Sequence, residues 1–243
     1  MSAPVCAIVG AGDGLGRALA ARFAREGYSL ALLSRSAAGS EAALGAARHA
    51  APGLEHAFHS VDATQPEALQ GALERVAAEV GEIDVLIYNA RGGYTPREPL
   101  NMGFDELEDI FRLEVIGAFA AAKAVMPAML QRGRGSVLYS SATAALRGSA
   151  TNPLYAIGKF GLRALAQSLA KAYARRGVHV AHMRLDCTLD VPQVREWLGE
   201  QFDVEQTANC DDVADTYWWV HRQPRSAWSN EVELRPYTET WTC

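Results

Sequence analysis

A tyrosine and a lysine four residues apart, Tyr155 and Lys159, lie in a stretch that opens at Pro153 and carries Leu162, Leu165 and Leu169 at helical spacing. On a helix that separation puts both side chains on one face, about one turn apart. A phenol titrates at about 10 in water, so it passes a proton at neutral pH only where its phenolate is stabilised, and a neighbouring ammonium does that. Taken alone, the pair is also an ordinary arrangement on a helix surface. A second chemical signal stands at the other end of the chain, in Gly10-Ala11-Gly12-Asp13-Gly14-Leu15-Gly16. Glycine permits positive φ and has no Cβ, so backbone N–H groups at a helix start can approach a phosphate closely. A glycine-rich turn by itself can equally be structural; its neighbours decide.

Those neighbours are an apolar run, Val5 to Val9, which reads as a buried strand, and the alanine-rich Arg17 to Phe23, which reads as a helix. A strand, a phosphate-type turn and a helix start therefore follow one another as in a βαβ nucleotide unit. Ser29 to Leu33 is the next strand, ending in Ser34-Arg35. In a dinucleotide fold an acid at this strand end binds the ribose 2′-OH. Here no acid is present: Ser34 leaves room for a 2′-phosphate and Arg35 supplies a guanidinium to grip it, unless Arg35 is simply a solvated surface residue.

Further along, helix-prone Ala37 to Ala50, strand-like Leu54 to Val61, a helix from Pro66 to about Val80 and a strand from Ile83 to Tyr88 alternate. Phe104 to Leu130 is a long helical stretch interrupted by Pro127, and Ser136 to Ser140 is a strand whose end runs into Ser141-Ala142-Thr143. Ligands of open α/β sheets bind beyond the carboxyl ends of strands, so this hydroxyl-rich exit is a natural catalytic edge. Thr151-Asn152-Pro153 supplies a capping residue and a first-turn proline for the helix of Tyr155, which runs to Arg176-Gly177. Val178 to Leu185 is another strand, Asp186 to Asn209 with Trp197, Leu198 and Phe202 suggests a lid, and a helix over about Asp211 to Val220 and a strand over Glu231 to Leu234 close the chain. The alternation predicts an α/β fold, a doubly wound parallel sheet with helices on both faces.

The chain has 243 residues, enough for one large domain, and no linker or charge block divides it, so a single domain over 1–243 is expected. Hydrophobic residues make up 49% and charged residues 21%, which is the balance of a packed globular protein rather than a disordered one. A net charge of −5 without a basic cluster argues against nucleic acid as a partner. Cys6, Cys187, Cys210 and Cys243 are scattered without metal or disulfide spacing, which fits a reducing cytoplasm, and no metal site is expected. No apolar run reaches the length of a membrane span, and no leader is evident, so no membrane partner is expected.

Tyr155-x-x-x-Lys159, the Gly10/Gly14/Gly16 turn, Asp62-Ala63-Thr64 and Asn89-Ala90 stand in the order and spacing of short-chain dehydrogenase/reductases, and the resemblance extends over nearly the whole chain. It implies a Rossmann-type fold with Tyr155 as general acid/base, and with Lys159 lowering its pKa and bonding the nicotinamide ribose. Gly10, Gly12, Gly14, Leu15 and Gly16 would hold the pyrophosphate. Asp62 would contact the adenine, and Ala63, Asn89, Ala90 and Arg91 would line the cofactor. The family's catalytic serine falls in the neighbourhood of Ser140-Ser141-Ala142. Counted back from Tyr155 it lands on Ala142, so Ser141 serves if the loop has one extra residue. The chain departs from the family at Val9 for threonine, Arg91 for glycine, Asp186-Cys187 for Pro-Gly, and Glu114 for the asparagine that supports a proton-relay water. An ionised Glu114 near Lys159 would form a buried pair or relay a proton itself.

The resemblance, with Ser34-Arg35, implies an NADPH-dependent carbonyl reductase or alcohol dehydrogenase, with NAD as the lesser cofactor, acting on a small to medium apolar substrate. The members' habit of pairing through two long helices implies a homodimer or homotetramer. Two alternatives remain on the same scaffold: a dehydratase, cyclase or isomerase using Tyr155 and Glu114 as an acid/base pair, and a cofactor-binding protein with a decayed site.

Overall fold

The computed structural model describes residues 3–93 and 96–240; Cys243 lies outside them. Seven strands, β1 (Val5–Val9), β2 (Ser29–Ser34), β3 (His56–Ser60), β4 (Ile83–Tyr88), β5 (Gly135–Ala142), β6 (Val178–Leu185) and, far along the chain, β9 (Glu231–Leu234), form one parallel sheet in the order β3-β2-β1-β4-β5-β6-β9. The chain walks outward from β1 to β3, returns to β4 beside β1 and then walks the other way. That reversal parts the connections above β1 and β4 and opens a crevice beyond the strand ends.

Helices cover both faces because every parallel connection must cross over the sheet. α3 (Pro66–Glu79), α5 (Gly117–Arg132) and α6 (Pro153–Tyr173) pack on one face, and α1 (Leu15–Arg25), α2 (Ala37–Ala50) and α8 (Cys210–His221) on the other. The strands serve both cores by simple alternation: Val5, Ala7 and Val9 of β1 join the first, Cys6 and Ile8 the second. This is why the strands read as unbroken apolar runs. A small pair, β7 (Thr188–Leu189) and β8 (Thr207–Ala208), brackets α7 (Pro192–Leu198) outside the main sheet.

Two sequence expectations are corrected in detail. The long helix is α4 (Phe104–Phe111), a π turn at 112–116 and then α5, and Pro127 does not end it. Pro127 is on the exposed side of α5, so the carbonyl deprived of a partner faces water. Asn152 makes no side-chain cap on α6. Pro153 has no N–H to cap, and the turn before it is organised by Ser149, whose hydroxyl accepts from the N–H groups of Thr151 (3.3 Å) and Asn152 (2.9 Å). By length and hydropathy the stretch Phe104–Arg132 would pass for a membrane span; half of its most apolar window is buried in this fold.

Candidate active site

At the crevice's first end, Gly10 has φ +87°, and a Cβ there would lie 2.4 Å from the Ala90 nitrogen, so the turn after β1 and the exit of β4 touch backbone to backbone. Asn89 ties them, donating from Nδ2 to the Gly10 carbonyl at 2.9 Å. A Cβ on Gly12 would meet nothing within 4 Å, so the turn's outer side is open. α1 begins with no side-chain cap and no acid in its first turn, and Leu15 and Gly16 are buried there. Open space, an uncapped helix start and a positive helix dipole fit the pyrophosphate of a dinucleotide.

Ser34 and Arg35 lie where β2 ends, but they differ in kind. The Ser34 hydroxyl bonds Ser40 Oγ at 2.7 Å, and Ser40 in turn donates to the Ala11 carbonyl at 2.7 Å. Ser34 thus braces the glycine turn from behind, while Arg35 is exposed at the strand end. Asp62 is exposed and accepts from both the N–H and the hydroxyl of Thr64 at 2.9 Å, an Asx turn that holds the β3 exit; Ala63 beside it is buried. Arg91 is exposed.

The second end is built from charged groups. Lys159 is 2% exposed and Glu114 fully buried, with Nζ 2.8 Å from Oε2. Glu114 Oε1 also accepts from the Gly92 N–H at 3.0 Å, and Lys159 donates to the Ser140 carbonyl at 3.2 Å. α6 makes room for the carboxylate at Gly158, where a Cβ would lie 2.8 Å from Glu114 Cγ. Of the two fates open to Glu114, the buried pair is the one adopted. Lys159 Nζ also stands 5.4 Å from the centroid of the Tyr155 ring.

Ser141, like Tyr139, is on the α6-facing side of β5, while Ser140 faces the other way and accepts from Tyr217 at 2.8 Å. The Ser141 hydroxyl is buried and has no hydrogen-bond partner among the described residues, so it is available to donate. Thr143 is committed elsewhere: it donates to Asp186, which is also clamped by Arg235 Nη2 at 2.5 Å. Burial, aided by Asp186, pushes the adjacent Cys187 thiol up to about 12, away from the thiolate form.

Tyr155 faces a cleft of about 260 Å³ walled by Thr143, Arg147, Ser149, Thr151 and Asn152. Trp197 is not part of this wall and is 77% exposed. The lid segment instead reaches the glycine turn, where Val191 fills the space beside Gly14 and Gln193 approaches Asp13 at 3.4 Å. Trp218 packs edge-on against Phe23, with ring centroids 5.4 Å apart, and so lies against the core. Sequence reasoning missed Gly92, Arg147 and the Thr143–Asp186 bond. Only the last carried a signal, the acid standing in place of the usual proline.

A glycine turn open at an uncapped helix start and, at the other end of the crevice, a tyrosine backed by a buried lysine are what a dinucleotide-dependent α/β oxidoreductase requires. Residues 4–197 match the family model described as short chain dehydrogenase, and the chain belongs to the short-chain dehydrogenase/reductase family. It is 30% identical over 177 residues to the 3-oxoacyl-(acyl-carrier-protein) reductase FabG of Escherichia coli (strain K12), covering 72% of this chain and 70% of that one. It is 27% identical over 225 residues to the 3-oxoacyl-(acyl-carrier-protein) reductase of Bos taurus, covering 90% of this chain and 92% of that one. The crystal structure of a short-chain dehydrogenase from Rhodopseudomonas palustris superposes with a TM-score of 0.81 at 27% identity, covering 96% of this chain and 99% of that one. The chain is an enzyme, an oxidoreductase of this family.

Proposed function

We propose that the protein is an NADPH-dependent reductase of a small to medium carbonyl compound, working in reverse as an alcohol dehydrogenase, with all 243 residues acting as one domain. The observation that carries this reading is Tyr155 at the cleft wall with the ammonium of Lys159 behind its ring. The turn from Gly10 through Gly12, Gly14, Leu15 and Gly16, open at Gly12, would hold the pyrophosphate, and Asp62, Ala63, Asn89, Ala90 and Arg91 would line the remainder. Arg35, exposed at the end of β2, would take a 2′-phosphate, which favours NADPH over NADH. When bound, the dinucleotide supplies the hydride. Tyr155 gives its phenolic proton to the carbonyl oxygen, Lys159 steadies the phenolate left behind, and the unpartnered Ser141 hydroxyl donates to the same oxygen and fixes its position.

The cleft volume supports a small or medium substrate. An apolar preference has less support than the size, since Trp197 of the expected lid is outside the cleft wall and Arg147 is within it. A non-redox reaction using Glu114 as an acid is the weaker reading, because the carboxylate is ion-paired with Lys159 and accepts from the Gly92 N–H. Exposed Phe111, Phe119 and Phe160 on the helices around the π turn and on α6 support pairing of two copies there, which light scattering would measure directly. The activity itself is tested by following nicotinamide absorbance with NADPH, and separately NADH, across a panel of ketones and aldehydes. Consumption of NADPH with the stronger response than NADH is expected; turnover of any substrate with no change in nicotinamide absorbance would overturn the assignment.

A further inference from the structure

We propose that Glu114 is a positioning residue that balances charge at the nicotinamide end of the crevice: its carboxylate offsets the Lys159 ammonium and so lets the site hold the cationic, oxidised ring as well as the neutral, reduced one. This rests on the reading above, that the crevice takes a nicotinamide dinucleotide.

The strand order sets the direction in which such a ligand lies. Its adenosine end belongs with Ser34 and Arg35 over β2, so its other end must extend past β1 to the exits of β4 and β5. Those exits are where Glu114 is bonded. One oxygen accepts from Gly92, two residues beyond Ala90, whose backbone packs on Gly10; the other contacts Lys159 at 2.8 Å. The carboxylate therefore joins the wall of the cofactor cradle to the helix that carries Tyr155.

Loss of a hydride leaves the nicotinamide ring with one more positive charge than before. A buried lysine without a counterion would repel that ring, and at the low effective dielectric of an interior the repulsion is not screened away. The other polar partner of Lys159, the Ser140 carbonyl, is neutral. Of the other charged groups on neighbouring elements, Arg184 is paired with Glu233, and burial holds the His182 imidazole down at about 4, so it is neutral. Glu114 is thus the anion in contact, and the pair reaches the ring as a dipole rather than a cation.

The test is binding, not turnover. Dissociation constants for NADP and NADPH are measured by calorimetry for wild type, Glu114→Gln, Glu114→Asp and Lys159→Gln. Glu114→Gln keeps the side-chain length and an acceptor for Gly92 while removing the charge. It should weaken NADP relative to NADPH by about tenfold or more, the size of one unscreened charge at partly buried range. Glu114→Asp should retain the wild-type ratio, and Lys159→Gln should move it the opposite way. Equal weakening of both forms in Glu114→Gln would mean that Glu114 only packs, and would overturn the proposal. Should Glu114→Gln fail to fold, Lys159→Gln decides alone: an unchanged ratio, or one moved in favour of NADPH, overturns it. Wild type binding neither dinucleotide would instead remove the cofactor assignment on which the proposal depends, an outcome distinct from an unchanged ratio.

Discussion

The two ends of the crevice are made of different materials. Around Gly10 the site consists of backbone and of room: a turn pressed against Ala90, an open side at Gly12 and a helix start without a cap. Around Lys159 it consists of buried charge, with an ammonium and a carboxylate almost wholly out of water. Damage should therefore take different forms. At the first end a substitution harms by filling space or by withdrawing a surface cation; at the second it harms by stranding a partner, which costs more because a buried polar group left unpaired bears its full desolvation penalty.

The largest effect expected is at the second end. Tyr155→Phe removes one hydroxyl and should lower turnover by about 10²–10⁴-fold with dinucleotide affinity nearly intact; undiminished turnover would place the chemistry elsewhere. Ser141→Ala comes next. With Thr143 bonded to Asp186 and Glu114 to Lys159 and Gly92, neither shares the oxygen-holding role assigned to Ser141, so about 10²–10³-fold in kcat is expected, as for removal of one oxyanion donor. A merely several-fold loss would show that the oxygen is held by another group.

At the first end the numbers shrink. Arg35→Ala should cost roughly 1.5–3 kcal/mol of NADPH binding and leave NADH almost untouched, which paired titrations would read. If both cofactors weaken alike, Arg35 acts on something other than the 2′-phosphate. Gly10→Ala forces a side chain into φ +87° against the Ala90 backbone, which should cost about 1–3 kcal/mol of stability together with dinucleotide affinity. A normal urea midpoint with normal affinity would mean that this backbone contact is soft.

The smallest effect tests the sheet behind the second end. Burial pushes the His182 imidazole down to about 4, whereas an unfolded histidine titrates near 6.5. The unfolded chain then takes up a proton first as pH falls, so the stability tied to a neutral His182 is present above about 6.5 and drains away toward pH 4. His182→Leu should flatten that part of the Tm against pH curve. Because His221 is also held at about 4 by burial, some slope should survive; an unaltered slope would assign it all to other groups.

What was legible in the sequence follows the same division. The strand from Val178 to Leu185, the last strand from Glu231 to Leu234 and the helix from Ala37 to Ala50 lie where the residue pattern put them, because period and composition are local properties. The glycine turn was legible because only glycine permits that conformation and that approach. Glu114 could be located by resemblance, yet not its state. Whether a carboxylate pairs, relays or points outward depends on Gly92 and Gly158, which are remote in the chain and give no signal by type. Ser34 reads as a ligand residue by position but is drawn inward by Ser40, a neighbour on the following helix that no strand-end rule includes. Asn152 has the right type for a cap and is pre-empted by Ser149.

The π turn at 112–116 has the character of a retained insertion. An i→i+5 turn takes one residue more than the helix around it, and one added residue in a regular helix rotates everything beyond it by about 100°. Here the extra residue is confined to a single bulge, with Glu114 facing inward while Phe111 before it and Phe119 after it remain exposed. Deleting one residue from this segment would make the helix more regular and would swing the carboxylate off Lys159, so the length of this segment, as well as its sequence, places the charge.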